Sequence, residues 1–263
     1  MSKTVSQDGT TQTAPILGLP VDMIQIPQVI ERMVDWITHD RQRNHWIVVA
    51  DMHAVIEAHN KPDFRRMLDQ ADLIVPDGYS LIMAGRQKGF QLERRVSGTD
   101  LMQAFFCSSN GRKARHFFYG DTEETLRQLT ERLHHDYPGI HITGTCSPPF
   151  RPLTAEEDSD MVTMINKARP DVLWVGLGLP KQERWIFAHR ALLNVPLILG
   201  VGAAFKFLAG TVLRAPAWVG DRGFEWLWRL AHEPRRMWRR VFLEGPQFIG
   251  HLALEISGLR KYY

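Results

Sequence analysis

Six short, unbroken runs of apolar and β-branched residues recur along this chain: Trp46–Ala50, Leu73–Val75, His116–Tyr119, Ile140–Thr143, Val172–Val175 and Leu197–Val201. Unbroken runs, as opposed to alternating ones, mark strands covered on both faces. Segments of helical period lie between them, such as Asp121 to Tyr137, where Thr122, Thr125, Leu126, Leu129 and Leu133 follow an aspartate placed as a cap. Strand and helix in alternation predict an α/β fold with a doubly wound, mostly parallel sheet. Such sheets bind ligands outside the carboxyl ends of their strands, so the loops after the six runs are where a site is expected.

Beyond Val201 the pattern changes. Phe205 to Tyr263 carries no strand signal and reads as helices broken at Pro216, Pro234 and Pro246, with Glu233-Pro234 as a helix start. The expected division is a disordered Ser/Thr/Gln-rich tail over 1–14, a core over 15–210 and a helical appendage over 211–263. The three prolines within Ser147–Pro152 predict a stiff connection before a helix at Thr154. The tail lacks the apolar run of a secretion signal, and the longest apolar stretches are cut by Arg, Glu or Pro. If a membrane is involved, the expectation is a protein lying on its cytoplasmic face. The two cysteines, Cys107 and Cys146, match no metal or redox spacing and suit a reducing compartment.

Charge sharpens that expectation. The net +3 conceals a division: from Arg214 onward there are nine Lys/Arg against five Asp/Glu, and everything before is close to neutral. The same stretch holds Trp218, Trp226, Trp228 and Trp238, four of the eight tryptophans. Basic and aromatic residues together predict an anionic surface as partner, nucleic acid or lipid headgroup.

Residues able to carry chemistry fall into three groups. Asp77, in Leu73-Ile74-Val75-Pro76-Asp77-Gly78, follows a buried strand and is the candidate base, although Asp-Gly is also ordinary turn or N-cap chemistry. Asp51, with His53 two residues on, ends the preceding strand and is either a second polar group or the cap of a helix from Met52. Gly176-Leu177-Gly178-Leu179-Pro180-Lys181-Gln182 and Gly200-Val201-Gly202 are turns that bring backbone amides to an oxyanion or pack a strand tightly against a helix. Neither is the dinucleotide fingerprint, since Pro180 and Lys181 stand where its third glycine would come. Asp158-Ser159-Asp160 has the letters of a metal motif, but Thr154-Ala155-Glu156-Glu157 before it looks like a helix start, which makes these aspartates a solvated first turn. The arginines are the metal-free alternative source of positive charge. Arg236, Arg239 and Arg240 share a helical face, with Arg229 one stretch earlier and Trp238, Val241 and Phe242 opposite.

At these residues the chain resembles the WecG/TagA/CpsF family of bacterial glycosyltransferases (glycosyltransferase family 26). The likeness lies in Ala71–Gly78, Arg95–Leu101, Gly178–Glu183, Gly200–Phe205, Arg214-Ala215-Pro216, and Gly223–Leu230 leading to Glu233-Pro234-Arg235-Arg236, in order over roughly residues 15 to 245. The resemblance implies a Rossmann-like core with a C-terminal appendage, a GT-E-like arrangement, in which the appendage reaches over the active site and meets the membrane. It implies transfer of a sugar, with inversion and without a metal or other cofactor, from a UDP-sugar to a polyprenyl-diphosphate-linked sugar in surface or exopolysaccharide synthesis. Carried over by motif, Asp77 becomes the general base and Gln182 a polar contact. Asp51, Gly176, Gly178, Pro180, Lys181, Gly200 and Gly202 fall on the donor side, and Arg214, Arg229, Arg236 and Arg239 on the acceptor diphosphate and membrane.

Two departures bear on substrate. Val49-Ala50-Asp51 stands where the family often has Thr-x-Asn, and Lys206 where it usually has aspartate. Glucose is the expected sugar among the N-acetylmannosamine, its uronic acid and glucose that the family uses. The rival readings are a nucleic-acid-binding module, an oxidoreductase, and a homologue with an inactive site. Nucleic acid is not expected as partner, and self-association is left open.

Overall fold

The structure, a computed structural model, describes residues 12–215, 219 and 223–262. It begins with an antiparallel hairpin of β1 (Thr13–Ile16) and β2 (Leu19–Asp22) that the sequence reading did not foresee. The hairpin turns at Leu17-Gly18, both at positive φ (48° and 84°), which gives a tight two-residue turn matched to strand twist. Thr13 and Ala14, expected in the tail, therefore belong to a strand, and Ala14 is buried. Residues 1–11 of that expected tail lie outside the described residues.

The six expected runs are the six strands of one parallel sheet: β3 (His45–Ala50), β4 (Leu73–Pro76), β5 (Arg115–Gly120), β6 (His141–Cys146), β7 (Val172–Gly176) and β8 (Leu197–Gly200). Their order is β4-β3-β8-β7-β5-β6, a doubly wound arrangement. Between them run α1 (Ile26–His39), α2 (Met52–Asn60), α3 (Pro62–Leu68), α4 (Tyr79–Gln87), α5 (Gly98–Cys107), α6 (Ser109–Lys113), α7 (Glu123–Asp136), α8 (Ala155–Ala168) and α9 (Lys181–His189). After β8 come α10 (Ala204–Ala209), α11 (Glu225–His232), α12 (Pro234–Arg239) and α13 (Gly245–Ile256).

Local chemistry explains these boundaries and corrects two expectations. The cap of α7 is Thr122, whose hydroxyl accepts from Thr125 N at 3.2 Å; Asp121 stands one residue earlier at φ 58°, its carboxylate accepting from Thr122 N. At α8, Thr154 and Glu157 form a reciprocal capping box, as the sequence implied. Pro234 starts α12 with Glu233 before it, also as implied. Pro246 breaks nothing: α12 continues through a π-type stretch, Arg240–Glu244, directly into α13. Gly245 N bonds to Arg240 O, one register step longer than an α-helix, and this widening accommodates a proline that has no N–H to give.

By its internal contacts the chain divides into two units: residues 1–25, 49–97 and 214–263 form one, and residues 26–48 and 98–213 the other. The C-terminal helices thus group with the hairpin and with α2 to α4. Within this first unit, Asp22 Oδ2 accepts from Ile74 N at 2.7 Å, and Asn60 pairs with Gln247 across α2 and α13. Its core includes Ile16, Leu19, Met23, Phe64, Val75 and Leu81. The second unit centres on Trp174, Phe105, Phe106, Phe118 and Phe205, each contributing about 1.5–3 kcal/mol by burial. His116 lies among these rings, its Nε2 2.7 Å from Gly111 O and its Nδ1 accepting from Trp174 Nε1 at 3.1 Å. That pattern requires the neutral tautomer, and burial lowers the His116 pKa to about 4.

Candidate active site

Asp77 follows the carboxyl end of β4, anchored by its own N–H to Ala50 O at 2.7 Å. The next residue, Gly78, takes φ 94°, which favours glycine, and occupies the cap position of α4 without any side-chain cap bond. Asp77 is therefore not spent as the cap of that helix. Its carboxyl group is largely surrounded by protein, and burial pushes its pKa from an ordinary 3.8 up to about 7. The guanidinium groups of Arg95 and Arg229 oppose that rise, while Asp51 and Glu225 reinforce it. A carboxyl group held near neutrality within the field of two arginines has the properties of a general base.

The surroundings of Asp77 come from three stretches of the same unit. Asp51 ends β3 and caps α2, its Oδ1 accepting from Ala54 N at 2.9 Å, while its other oxygen lies 3.6 Å from Arg240. The cap reading of Asp51 is thus the one its hydrogen bond shows. His53 Nδ1 meets Glu244 Oε2 at 2.7 Å. Arg95 is ion-paired with Glu225 at the start of α11, and a Cβ on Gly223 (φ 81°) would stand only 2.6 Å from the Tyr79 ring. The chain from 223 to 244 is thereby seated on the loops that follow β3 and β4.

In the other unit the glycine turns meet at Gln182. This side chain is only 3% exposed; its Oε1 accepts from Gly178 N at 3.1 Å and from Gly202 N at 2.9 Å, and its Nε2 donates to Glu183 Oε1 at 2.8 Å. Two of the amides expected to face a phosphate are thus bonded within the protein, and Gln182 acts as a strut between the turns. Gly176 and Gly200 answer a packing need: a Cβ would meet the Phe205 ring at 2.5 Å in the first case and Gln182 Nε2 at 2.6 Å in the second. Pro180 precedes α9, and Lys181, its first residue, is exposed. Lys206 has Asp121 3.9 Å away, a carboxylate at the end of β5 whose side chain is only 5% exposed.

The structure brings Asp77, Asp51 and Arg229 together in one group and Gly176, Gly178, Gln182, Gly200 and Gly202 in another. Arg214 is half-buried, Arg239 is exposed with its guanidinium 6.0 Å from the Trp238 ring, and the side chain of Arg236 lies outside the described residues. Trp218 and Pro216 lie outside them as well. Asp158, from the metal-like pair, bonds His189 Nε2 at 2.9 Å, and among the described residues no group of three or more His, Cys, Asp or Glu is placed to hold a metal. Sequence reasoning gave no role to Arg95 or Glu225, and it placed Arg240 with the arginines of the C-terminal face and not beside Asp51. Arg95 and Glu225 lie in the segments that carry the family likeness, and only the fold brings their charges to bear on Asp77.

A protein of Bacillus spizizenii described as N-acetylglucosaminyldiphosphoundecaprenol N-acetyl-β-D-mannosaminyltransferase is 30% identical over 231 residues, 86% of this chain and 87% of its own length. A Staphylococcus aureus protein of the same description is 27% identical and covers 90% of each chain. Among solved structures, a substrate-binding periplasmic protein from Ralstonia solanacearum matches with a TM-score of 0.31 and 16% identity, over 72% of this chain and about half (53%) of that one, too slight a likeness to bear on function. The model of the glycosyl transferase WecG/TagA/CpsF family matches residues 14–262, and the chain belongs to that family of glycosyltransferases.

Proposed function

We propose that this chain transfers a sugar from a UDP-sugar to a hydroxyl of a sugar carried on polyprenyl diphosphate, with inversion at the anomeric carbon. The observation that carries the proposal is Asp77: a carboxyl group after a buried strand, with its pKa raised to about 7 and flanked by Arg95 and Arg229. In this reading Asp77 takes the acceptor hydroxyl proton as that oxygen attacks the anomeric carbon. The bond from that carbon to the UDP oxygen breaks, and UDP leaves with the electron pair. A base whose pKa is close to the working pH combines an ionised population with real affinity for the proton. Positive charge and amide donors stabilise a departing diphosphate.

The acceptor side rests on the C-terminal helices. Arg214, Arg229, Arg236 and Arg239 hold the lipid diphosphate in this proposal. Trp226, Trp238, Phe242, Leu243 and Ile249, each at least 45% exposed, rest on the cytoplasmic face of the membrane. No helix among the described residues is long and apolar enough to cross a membrane. For the donor sugar, the descriptions of the relatives favour N-acetylmannosamine. Glucose is the second reading; at Asp51, which accepts from Ala54 N, and at Lys206 this chain departs from the family pattern, and the donor panel below decides between the two sugars.

The test is UDP release from a panel of UDP-sugars, with and without a short-chain polyprenyl-diphosphate sugar, in EDTA and in magnesium. Acceptor-dependent release that survives EDTA is expected, and the productive donor names the sugar. Release that needs magnesium would overturn metal independence. No release from any donor, with an active relative run as control, would leave an inactive binding homologue as the better reading.

A further inference from the structure

The last residues of the chain fold back onto a group of rings that has no part in the scheme above. His59, in the last turn of α2, and His251, in α13, stand with ring centroids 4.5 Å apart. Tyr262 closes the group: its hydroxyl lies 2.8 Å from His251 Nδ1, and its ring centroid is 5.2 Å from that of His59 and 5.7 Å from that of His251. The guanidinium carbon of Arg260 is 5.0 Å from the centre of the Tyr262 ring. Three segments of one unit thus bring two imidazoles, a guanidinium and a phenol hydroxyl to one place.

Among the described residues no carboxylate pairs with His59, His251, Arg260 or Lys261. The carboxylates of the surrounding elements are engaged elsewhere: Glu57 of α2 with Lys61 at 2.7 Å, Glu244 with His53 at 2.7 Å, and Glu255 of α13 with Lys88 at 3.3 Å. Burial, followed by the charges of His251 and Arg260, holds the His59 pKa below its ordinary value, and Asp63, in the first turn of α3 beside α2, is not among the charges that act on it. The group is therefore short of negative charge. Imidazolium, guanidinium and phenol all offer hydrogen-bond donors, and the oxygens of a phosphate are acceptors in the same small volume. Ile256 and Leu259, 47% and 79% exposed, lie between His251 and Arg260 in the chain and give the group an apolar border.

We propose that His59, His251, Arg260 and Tyr262 form a binding site for a phosphate group, which is taken up together with a proton on the histidine pair. Two imidazoles in contact resist carrying two charges while the site is empty, and a phosphate supplies the counter-charge that favours the doubly protonated pair. Binding therefore tightens on acidification. Soluble phosphate and the phosphate of an anionic lipid headgroup share this chemistry. The inference rests neither on Asp77 nor on sugar transfer, and UDP release does not enter its test.

The experiment uses the full-length chain in two arms. In the first, the histidine Cε1 proton resonances are followed by NMR from pH 5 to 8 in inorganic phosphate and in chloride at the same ionic strength. Phosphate is expected to raise the titration midpoints of His59 and His251 by about half a pH unit over chloride. In the second, co-sedimentation with phosphatidylcholine vesicles containing phosphatidylglycerol, a phosphodiester whose charge is constant over this range, is measured at pH 6 and pH 8. The wild type is expected to bind about fivefold more tightly at pH 6, and the double variant His59→Gln/His251→Gln about equally at both. A response in the first arm alone identifies soluble phosphate as the ligand, and a response in the second alone identifies a lipid headgroup; either supports the site. Midpoints that are the same in phosphate and chloride, together with a pH ratio that the double variant retains, overturn it. If the double variant does not fold, Arg260→Gln, a change at an exposed side chain, replaces it in the second arm: the pH ratio is expected to fall toward one, and an unchanged ratio with unmoved midpoints overturns the proposal.

Discussion

Replacing Asp77 by asparagine should make the protein more stable, and only above a defined pH. The carboxyl pKa rises from 3.8 in the unfolded chain to about 7 in the folded one, chiefly through burial. A raised pKa means that the folded state binds the proton more tightly. The associated stability is fully present below pH 3.8 and is lost as pH rises through about 7. With each unit equivalent to about 1.4 kcal/mol, a shift of about three units makes the ionised carboxylate cost up to about 4 kcal/mol at pH 8. Asparagine has similar volume and no charge, so the variant should match the wild type at pH 4 and exceed it by about 2–4 kcal/mol at pH 8. For a chain of this size, 1 kcal/mol corresponds to about 2–4 °C in melting temperature. Urea unfolding of both proteins at pH 4, 6, 7 and 8 measures the difference directly. A difference that does not change with pH, or a wild type that is the more stable at pH 8, would refute the reasoning: the charges of Arg95 and Arg229 would then outweigh burial, and Asp77 would be no base poised near neutrality. Stability given up at one carboxylate in this way is a common signature of a working site.

Three further outcomes follow from other parts of the structure. Gln182→Ala should strip the partner from Gly178 N and Gly202 N and cost about 1–3 kcal/mol by thermal unfolding, because two partly buried amides lose their acceptor; a cost under about 0.5 kcal/mol would mean that the turns do not depend on this strut. Acidification should weaken the second unit, since His116 is held neutral with its pKa lowered from 6.5 to about 4: its contribution is present above pH 6.5 and about 3 kcal/mol is lost as pH falls through 4. The pH dependence of stability should accordingly flatten in that window in His116→Phe, and an unchanged slope would remove His116 from the account. Charge reversal at Arg236 and Arg239 together should lower binding to anionic vesicles at least tenfold at low salt, as expected for two arginines at about 1 kcal/mol each near such a surface; full binding in a co-sedimentation assay would take these residues out of membrane contact.

The strands show how far local sequence reaches. Each of the six runs became a strand of the sheet within one to three residues at either end, because a continuous β-branched apolar run has few ways to bury itself other than between two helical layers. The capping box at Thr154 and the proline start at 234 were equally legible, since their partners lie within a single turn of helix. The β1–β2 hairpin escaped notice because its turn, Leu17-Gly18, puts a leucine where asparagine or aspartate usually signals it. The continuation through Pro246 escaped as well, because one π-type stretch upstream absorbs what proline alone would break.

The site divides along the same line. Sequence by itself determined that an aspartate follows β4, that glycine turns follow β7 and β8, and that basic and aromatic residues gather toward the C-terminus, since all of these are fixed by neighbours along the chain. Only the tertiary structure decided that Gln182 takes up two amides of the glycine turns, and that Arg95, Asp51, Glu225 and Arg229 converge on Asp77. The reason is physical: the pKa of a carboxyl group depends on burial and on charges within a few ångströms, and here those charges come from residues up to about 150 positions away in sequence.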